Sequence, residues 1–259
     1  MALADANVQK VNATDKTSSA SWAVTTFAGG SGTVYAADHL CIIALGTDNN
    51  DTTDGATSLH TSIVPSDGSA TFSKLIEFTN GQGAAAAGAT ISLWMGIGTA
   101  SFLSTLDDLQ VELAAAVTAK ALGMWAFSRD AALTITQDPT TATRADDGAD
   151  PGSMTLSSLT SREYLCLRAT AAESNSATGF TPTSGFTQTG NFNGTTTGGG
   201  GAANMAVRME WIISTATSFT SDPTLFSADC ASVMVALYEA SAAVGSLVIP
   251  HRHRGLIVR

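Results

Sequence analysis

Imidazole is the side chain that titrates near neutrality, so the four histidines are the first candidates for acid–base chemistry. They stand at His39, His60, His251 and His253. A hydrolase of the Ser-His-Asp type needs one of them held between a nucleophile and a carboxylate. No G-x-S-x-G elbow surrounds any serine, and the glycine run 198–201 lacks the lysine and following helix of a phosphate loop. His39 opens an apolar run, which suits an edge or packing role. His60 follows a polar loop, which suits an exposed surface role. Two carboxylate pairs, Asp107/Asp108 and Asp146/Asp147, are adjacent in the chain. Glycosidase carboxyls must face each other across roughly 5–9 Å, and adjacency does not arrange that. No catalytic residue is therefore assigned, and the chain reads as a non-enzyme.

Two stretches carry metal-type chemistry. The loop Asp48-Asn49-Asn50-Asp51-Thr52-Thr53-Asp54-Gly55 gathers oxygen donors of the kind calcium takes. An EF-hand counted from Asp48 requires a glutamate at the twelfth position, and that residue is Leu59. What remains is a looser calcium site through Asp48, Asp51 and Asp54, set against a solvated loop held by Asx turns. Near the C-terminus, His251-x-His253 places both imidazoles on one side of an extended chain, and six would converge on the axis of a trimer. The stronger reading there is plain surface histidines. No other cofactor is expected. Cys41, Cys166 and Cys230 form no C-x-x-C pair and read as small buried thiols.

These residues need elements to hold them. Short apolar stretches at period two, separated by polar small-residue runs, predict strands around 21–27, 40–45, 71–78, 122–127, 164–169 and 232–238. Ile91, Leu93, Met95 and Ile97 alternate with Ser92, Trp94 and Gly96; Met205, Val207, Met209, Trp211 and Ile213 alternate with Arg208 and Glu210. Both patterns predict one buried and one wet face. An outward Trp94 could stack a sugar ring and is the candidate glycan residue. Phe102, Leu103, Leu106, Leu109, Leu113 and Val117 recur at helical spacing; the stretch reads as a short helical turn at 101–106 with a strand from Leu109, set against one long helix through 101–120. The segments 47–58, 137–153 and 173–203 read as long loops.

Ala, Thr, Ser and Gly make up half the 259 residues, only 13% are charged, and the net charge is −10. With four lysines, no phosphate-neutralising patch forms, and nucleic-acid binding is not expected. No window of about 18 apolar residues crosses a membrane, and Met1 to Lys10 lacks the form of a secretory signal. The order also repeats. Asp38-His39-Leu40-Cys41-Ile42 echoes Glu163-Tyr164-Leu165-Cys166-Leu167, 91–100 echoes 207–216, and 122–127 echoes 234–239. This predicts a duplicated half, about 20–135 and 150–243, with two such halves packed face to face into one all-β, jelly-roll-like sandwich. An arm at 1–19 precedes it, and a tail at 244–259 follows.

The series Trp22-x-Val24, Asp38-His39-Leu40, Asp48-Asn49, Thr71-Phe72-Ser73-Lys74, Gly88-Ala89-Thr90-Ile91 and Ala119-Lys120-Ala121 resembles a group of bacteriophage proteins. These are small-residue-rich β-sandwich structural proteins encoded among the tail genes of long-tailed phages. The likeness spans about 21–240. It implies a non-enzymatic virion component, made in the host cytoplasm, oligomeric, and placed at a tail tip or fibre with access to host surface glycan or protein. A head or neck decoration protein and a carbohydrate-binding module are the alternatives. The HxH pair is similar to metal sites of some phage fibre tips. Low charge leaves large neutral surfaces, so self-association, as a trimer, is expected. The tail 251–259 is net +3 on an acidic body. Its Arg252, Arg254 and Arg259, with the β-prone Leu256-Ile257-Val258, read as an assembly arm for a second copy or an adjacent virion protein.

Overall fold

The computed structural model describes residues 3–6, 11–25, 37–66, 68, 70–98, 109–176, 179–188, 194–225 and 227–241. The first half of the chain forms two sheets. The larger has the order β1 (Ala4–Asp5), β9 (Lys120–Ser128), β4 (Leu40–Asp48), β7 (Ala89–Gly98), β6 (Ala70–Thr79), with β2 (Val11–Asp15) also on β9. Behind it lies β3 (Ser19–Val24), β8 (Leu109–Val117), β5 (His60–Pro65). The second half forms β10 (Leu133–Ala149), β15 (Ala228–Ser241), β12 (Arg162–Ala172), β13 (Ala206–Ala216), backed by the short pair β11 (Met154–Leu156) and β14 (Phe219–Ser221). Every strand pairing in these sheets is antiparallel.

Alternation along single strands fixes how these sheets stack. Leu40, Ile42 and Ala44 of β4 enter a core shared with Leu165, Leu167 and Val235 of the second half. Cys41, Ile43 and Leu45, on the other face, enter a core shared with Val111 and Ile63 of the sheet behind. A third core joins Tyr164, Cys166 and Met234 to Met154, Leu156 and Phe219. The described residues thus stack four layers deep around these three cores, with a small fourth cluster of Ala172, Leu225 and Cys230, and the central strands of the two large sheets are buried on both faces. That explains why β4 reads as a continuous apolar run without alternation. The central core is closed by Trp211, edge-on to Trp125 at 5.7 Å and to Phe127 at 5.2 Å. The sheets approach closely at Gly46, where a Cβ would sit 2.5 Å from Val207 Cγ2 and 2.9 Å from Ala171 Cβ.

The echoing segments occupy matching places. In one large sheet β4 lies between β9 and β7; in the other β12 lies between β15 and β13. Likewise β2 pairs β9 as β10 pairs β15, and β3 pairs β8 as β11 pairs β14. The first half adds β5 and β6 between β4 and β7. In the second half that interval gives single bridges, Thr181 to Thr224 and Thr187 to Trp211.

The expected all-β sandwich architecture is present, with each half contributing two layers to it. Two expectations change. The segment 137–153 is no long loop: most of it belongs to β10, whose Thr-rich, half-exposed character disguised a strand. A register shift between Gln137 and Thr141 accommodates Pro139, which cannot donate to the ladder. The faces read as wet on β7 and β13 are covered: Trp94, Ser92, Arg208 and Glu210 are all buried. The strand from Leu109 is present. The helical turn at 101–106 and the tail 244–259 lie outside the described residues.

Candidate functional site

The acidic loop after β4 spends its carboxylates separately. Asp48 Oδ2 accepts from the Ala119 amide at 2.8 Å, Asp51 Oδ1 from Thr53 at 3.0 Å, and Asp54 Oδ1 from Gly81 at 2.8 Å. Among the described residues, no group of three or more His, Cys, Asp or Glu side chains is placed to hold a metal. The loop nevertheless converges carbonyl oxygens on one point, and that point is an amide nitrogen. Asn49 Nδ2 donates to the carbonyls of Asp51, Gly81 and Ala84 at 2.8–2.9 Å, while Oδ1 accepts from the amides of Ala87 and Gly88 at 3.0 and 3.1 Å. The loop's carbonyls are thus gathered by the N–H groups of one buried side-chain amide. Asn204 does the same for the glycine run: its Nδ2 donates to Gly198 and Gly200 carbonyls, and its Oδ1 accepts from Lys16 Nζ and Thr196 Oγ1. Nothing in the sequence distinguishes these two asparagines from their neighbours.

One arrangement has the composition of a nucleophile and base. His60 Nδ1 lies 2.6 Å from Ser92 Oγ, and Nε2 lies 3.0 Å from Thr47 Oγ1. The network sets the direction of every proton. The Thr47 hydroxyl donates to the Asp48 carbonyl at 2.9 Å, so its oxygen accepts from Nε2–H. In the neutral ring Nδ1 then accepts from the Ser92 hydroxyl, whose oxygen accepts from Trp94 Nε1–H at 2.7 Å. Burial pushes the His60 pKa down to about 3, and the nearby Lys74 acts in the same direction, so the ring is neutral. Ser92, His60 and Thr47 are all 0% exposed. The chain is a closed hydrogen-bond relay inside a core, with no carboxylate to orient the ring and no approach for a substrate. The surface role expected for His60 is overturned: at the start of β5 its ring is enclosed between the layers, against Thr47 of β4 and Ser92 of β7. Trp94 is 3% exposed, so its ring has no face open to a sugar, and Lys74 Nζ lies 5.7 Å from the ring centroid.

The second half carries a matching polar interior that the sequence reading missed. Arg168 and Glu210 stand directly across from each other on β12 and β13. Ser221 joins them: Arg168 Nη1 donates to its carbonyl at 3.0 Å, and its hydroxyl donates to Glu210 Oε1 at 2.5 Å. Thr183 adds its amide and hydroxyl to Glu210 at 2.6 and 2.8 Å. Burial lowers the Arg168 pKa to about 10, opposed by the Glu210 charge. A period-two strand with Arg and Glu on one face looks solvated; here that face is sealed by β14 and the 181–187 segment.

At one end of the seam between halves, Asp48 and Glu173 close the equivalent strands β4 and β12. Their backbones are held alike, Asp48 N to Ala119 O and Glu173 N to Asp229 O, both 3.0 Å. Their side chains differ. Asp48 has the Ala119 amide on one oxygen, and burial raises its pKa against the pull of Ala119, Thr118, Lys120 and Lys16. Glu173 Oε1 is buried with no hydrogen-bond partner. Burial, reinforced by the charges of Asp229 and Asp48, pushes its pKa to about 8. Opposing this acidity, Lys120 is wholly buried and donates to Asp15 Oδ2 at 2.9 Å. Lys16, from the first half, reaches the Gly198 carbonyl of the second at 2.6 Å.

The remaining candidates are placed as follows. Asp146 is gripped by Arg144 at 2.6–2.8 Å, and Asp147 receives Asn80 and Gln82, so this pair does not work together. His39 directly precedes β4 and its Nδ1 is buried without a partner; burial lowers its pKa against the raising effect of Asp38. Cys41, Cys166 and Cys230 are buried free thiols, and burial raises all three pKa values, that of Cys41 to about 12. Asp107/Asp108, His251, His253, Arg252, Arg254, Leu256, Ile257, Val258 and Arg259 lie outside the described residues. In comparison with known proteins, no family model, no curated protein and no solved structure matches this chain.

Proposed function

We propose that this chain is a non-enzymatic structural protein of a bacteriophage virion, built into the tail or tail-fibre apparatus as a homo-oligomer, a trimer, against neighbouring virion proteins. The observation that carries the reading is where its reactive groups are spent. The serine–histidine relay and the arginine–glutamate pair have their polar atoms turned inward to join layers, and the Asn49 amide is spent on tying neighbouring loops of one sheet together. What faces solvent is threonine-rich strand with little charge, suited to broad packing against copies. The resemblance of the strand series around Trp22, His39 and Lys120 to phage tail β-sandwich proteins supports the same reading. Contact with a host receptor belongs to this proposal as a property of the assembled particle; Trp94 has no part in it.

Immunogold electron microscopy of purified virions, with antibody against this chain, tests it. Label on the tail or its fibres is the expected result. Label on the head or neck replaces the tail with a decoration role, and particles free of the chain overturn the proposal.

A further inference from the structure

The central core runs out to solvent along one side. There β6, β7 and the first residues of β10 leave an open groove of about 410 Å³, with Met95 and Ile97 on one side and Leu133 and Ile135 on the other, among the smaller and polar residues Thr71, Ser73, Gly96, Ala131 and Thr134 and the Arg129 side chain. Met95, Ile97 and Ile135 pack against the core but are only partly buried. Aliphatic groups left half in water at the margin of a core gain by receiving further apolar chain.

The register shows which chain is at hand. β15 ends at Ser241, paired with Leu133, and the two preceding residues, Ala240 and Glu239, pair with Thr134 and Ile135. Ser241, where β15 ends, therefore lies beside Leu133 at the mouth of the groove. The residues after it read Ala242-Ala243-Val244-Gly245-Ser246-Leu247-Val248-Ile249-Pro250 before the basic end. Gly245 is the residue able to take the left-handed conformations of a tight reversal. Beyond it come three aliphatic residues, and then Pro250, which cannot continue a ladder. At about 3.3 Å per residue, a reversal at Gly245 brings Leu247-Val248-Ile249 back within roughly 15 Å of Ser241, the scale of the groove itself.

We propose that Leu247-Val248-Ile249 of the same chain folds back into this groove, with Leu247 and Ile249 inward against Met95, Ile97, Leu133 and Ile135, and Val248 outward. The proposal is independent of the virion reading. It places the start of the basic arm at Pro250, with the docked strand as its root.

Thiol labelling of the full-length chain tests it, because the native Cys41, Cys166 and Cys230 are buried. Single variants Leu247→Cys, Val248→Cys, Ile249→Cys and His253→Cys are exposed to a thiol reagent. The expected result is alternation: positions 247 and 249 react about tenfold or more slower than 248 and 253. Ile135→Ala combined with Leu247→Cys should bring position 247 up toward the rate of 248. Equal rates at all four positions overturn the proposal. So does protection that disappears on roughly hundredfold dilution, which would mean that a second copy fills the groove.

Discussion

Replacing Glu173 by Gln should make the protein more resistant to alkali. The carboxyl sits at the seam end with Oε1 buried and unpaired, facing Asp48 and Asp229, and its pKa is raised from 4.5 to about 8. An acid with a raised folded-state pKa holds its proton more tightly in the folded state. Between about pH 4.5 and pH 8 the folded chain binds more protons, so stability falls as pH rises through this window and the full cost is present above it. At about 1.4 kcal/mol per unit the shift sets a ceiling near 5 kcal/mol. The residue keeps 7% exposure, which lets water screen the charge, so about 2–3 kcal/mol is the working figure. For a chain of this size that is roughly 4–10 °C in Tm. Thermal unfolding followed by near-ultraviolet circular dichroism at pH 6 and pH 9 reads it. The parent should lose several degrees between the two, and the Gln variant should lose far less, whatever the amide costs at pH 6. Parallel pH dependence of the two proteins would refute the argument that Glu173 ionises against burial and its acidic neighbours.

Three further outcomes follow from single contacts. Asn49→Ala strands the carbonyl of Asp51 together with two carbonyls and two amides of the 81–88 loop, so chemical denaturation should show a loss of about 2–4 kcal/mol, unrescued by calcium. Gly46→Ala drives a methyl into Val207 and Ala171, and urea unfolding should show about 1–3 kcal/mol of destabilisation; an unchanged midpoint would mean the sheets are not packed as described. The three native thiols should react with a thiol reagent only at the rate of unfolding, which a stopped labelling time course at pH 8 would establish.

Much of the fold was written in periodicity. β4, β7, β12, β13 and β15 are apolar enough at alternate positions to be read directly, and the Asp38/Glu163 echo marks equivalent central strands. What periodicity cannot state is how many layers cover a strand. Ser92 and Trp94, or Arg208 and Glu210, look like a wet face until another sheet is laid over them, and that sheet comes from other strands of the chain on either side of them. β10 failed for the opposite reason: an edge strand with Thr on its exposed positions has the composition of a loop. The polar relays were illegible because His60, Ser92 and Thr47 are brought together only by the pairing of β4 with β7 and the packing of β5 from the sheet behind. Asn49 is one of several asparagines and aspartates in its stretch, and only the path of the 81–88 loop singles it out.

The short turn from Ser128 to Leu133 has a consequence for how the chain can be divided. Each large sheet is made wholly from one side of that turn: strands β1 to β9 before it, β10 to β15 after it. A cut there breaks no ladder. It separates two pieces that each keep their own hydrogen-bonded sheets and one outer core, but bare the faces of Ile42, Leu93 and Trp125 on one piece and of Leu167, Met209 and Val235 on the other. Two such fragments are complementary surfaces in search of each other, and the Lys16 to Gly198 contact gives them a register at the far end. Expressed separately, they would be insoluble alone and reconstitute when mixed, which makes the turn at 129–132 the natural place to split this protein.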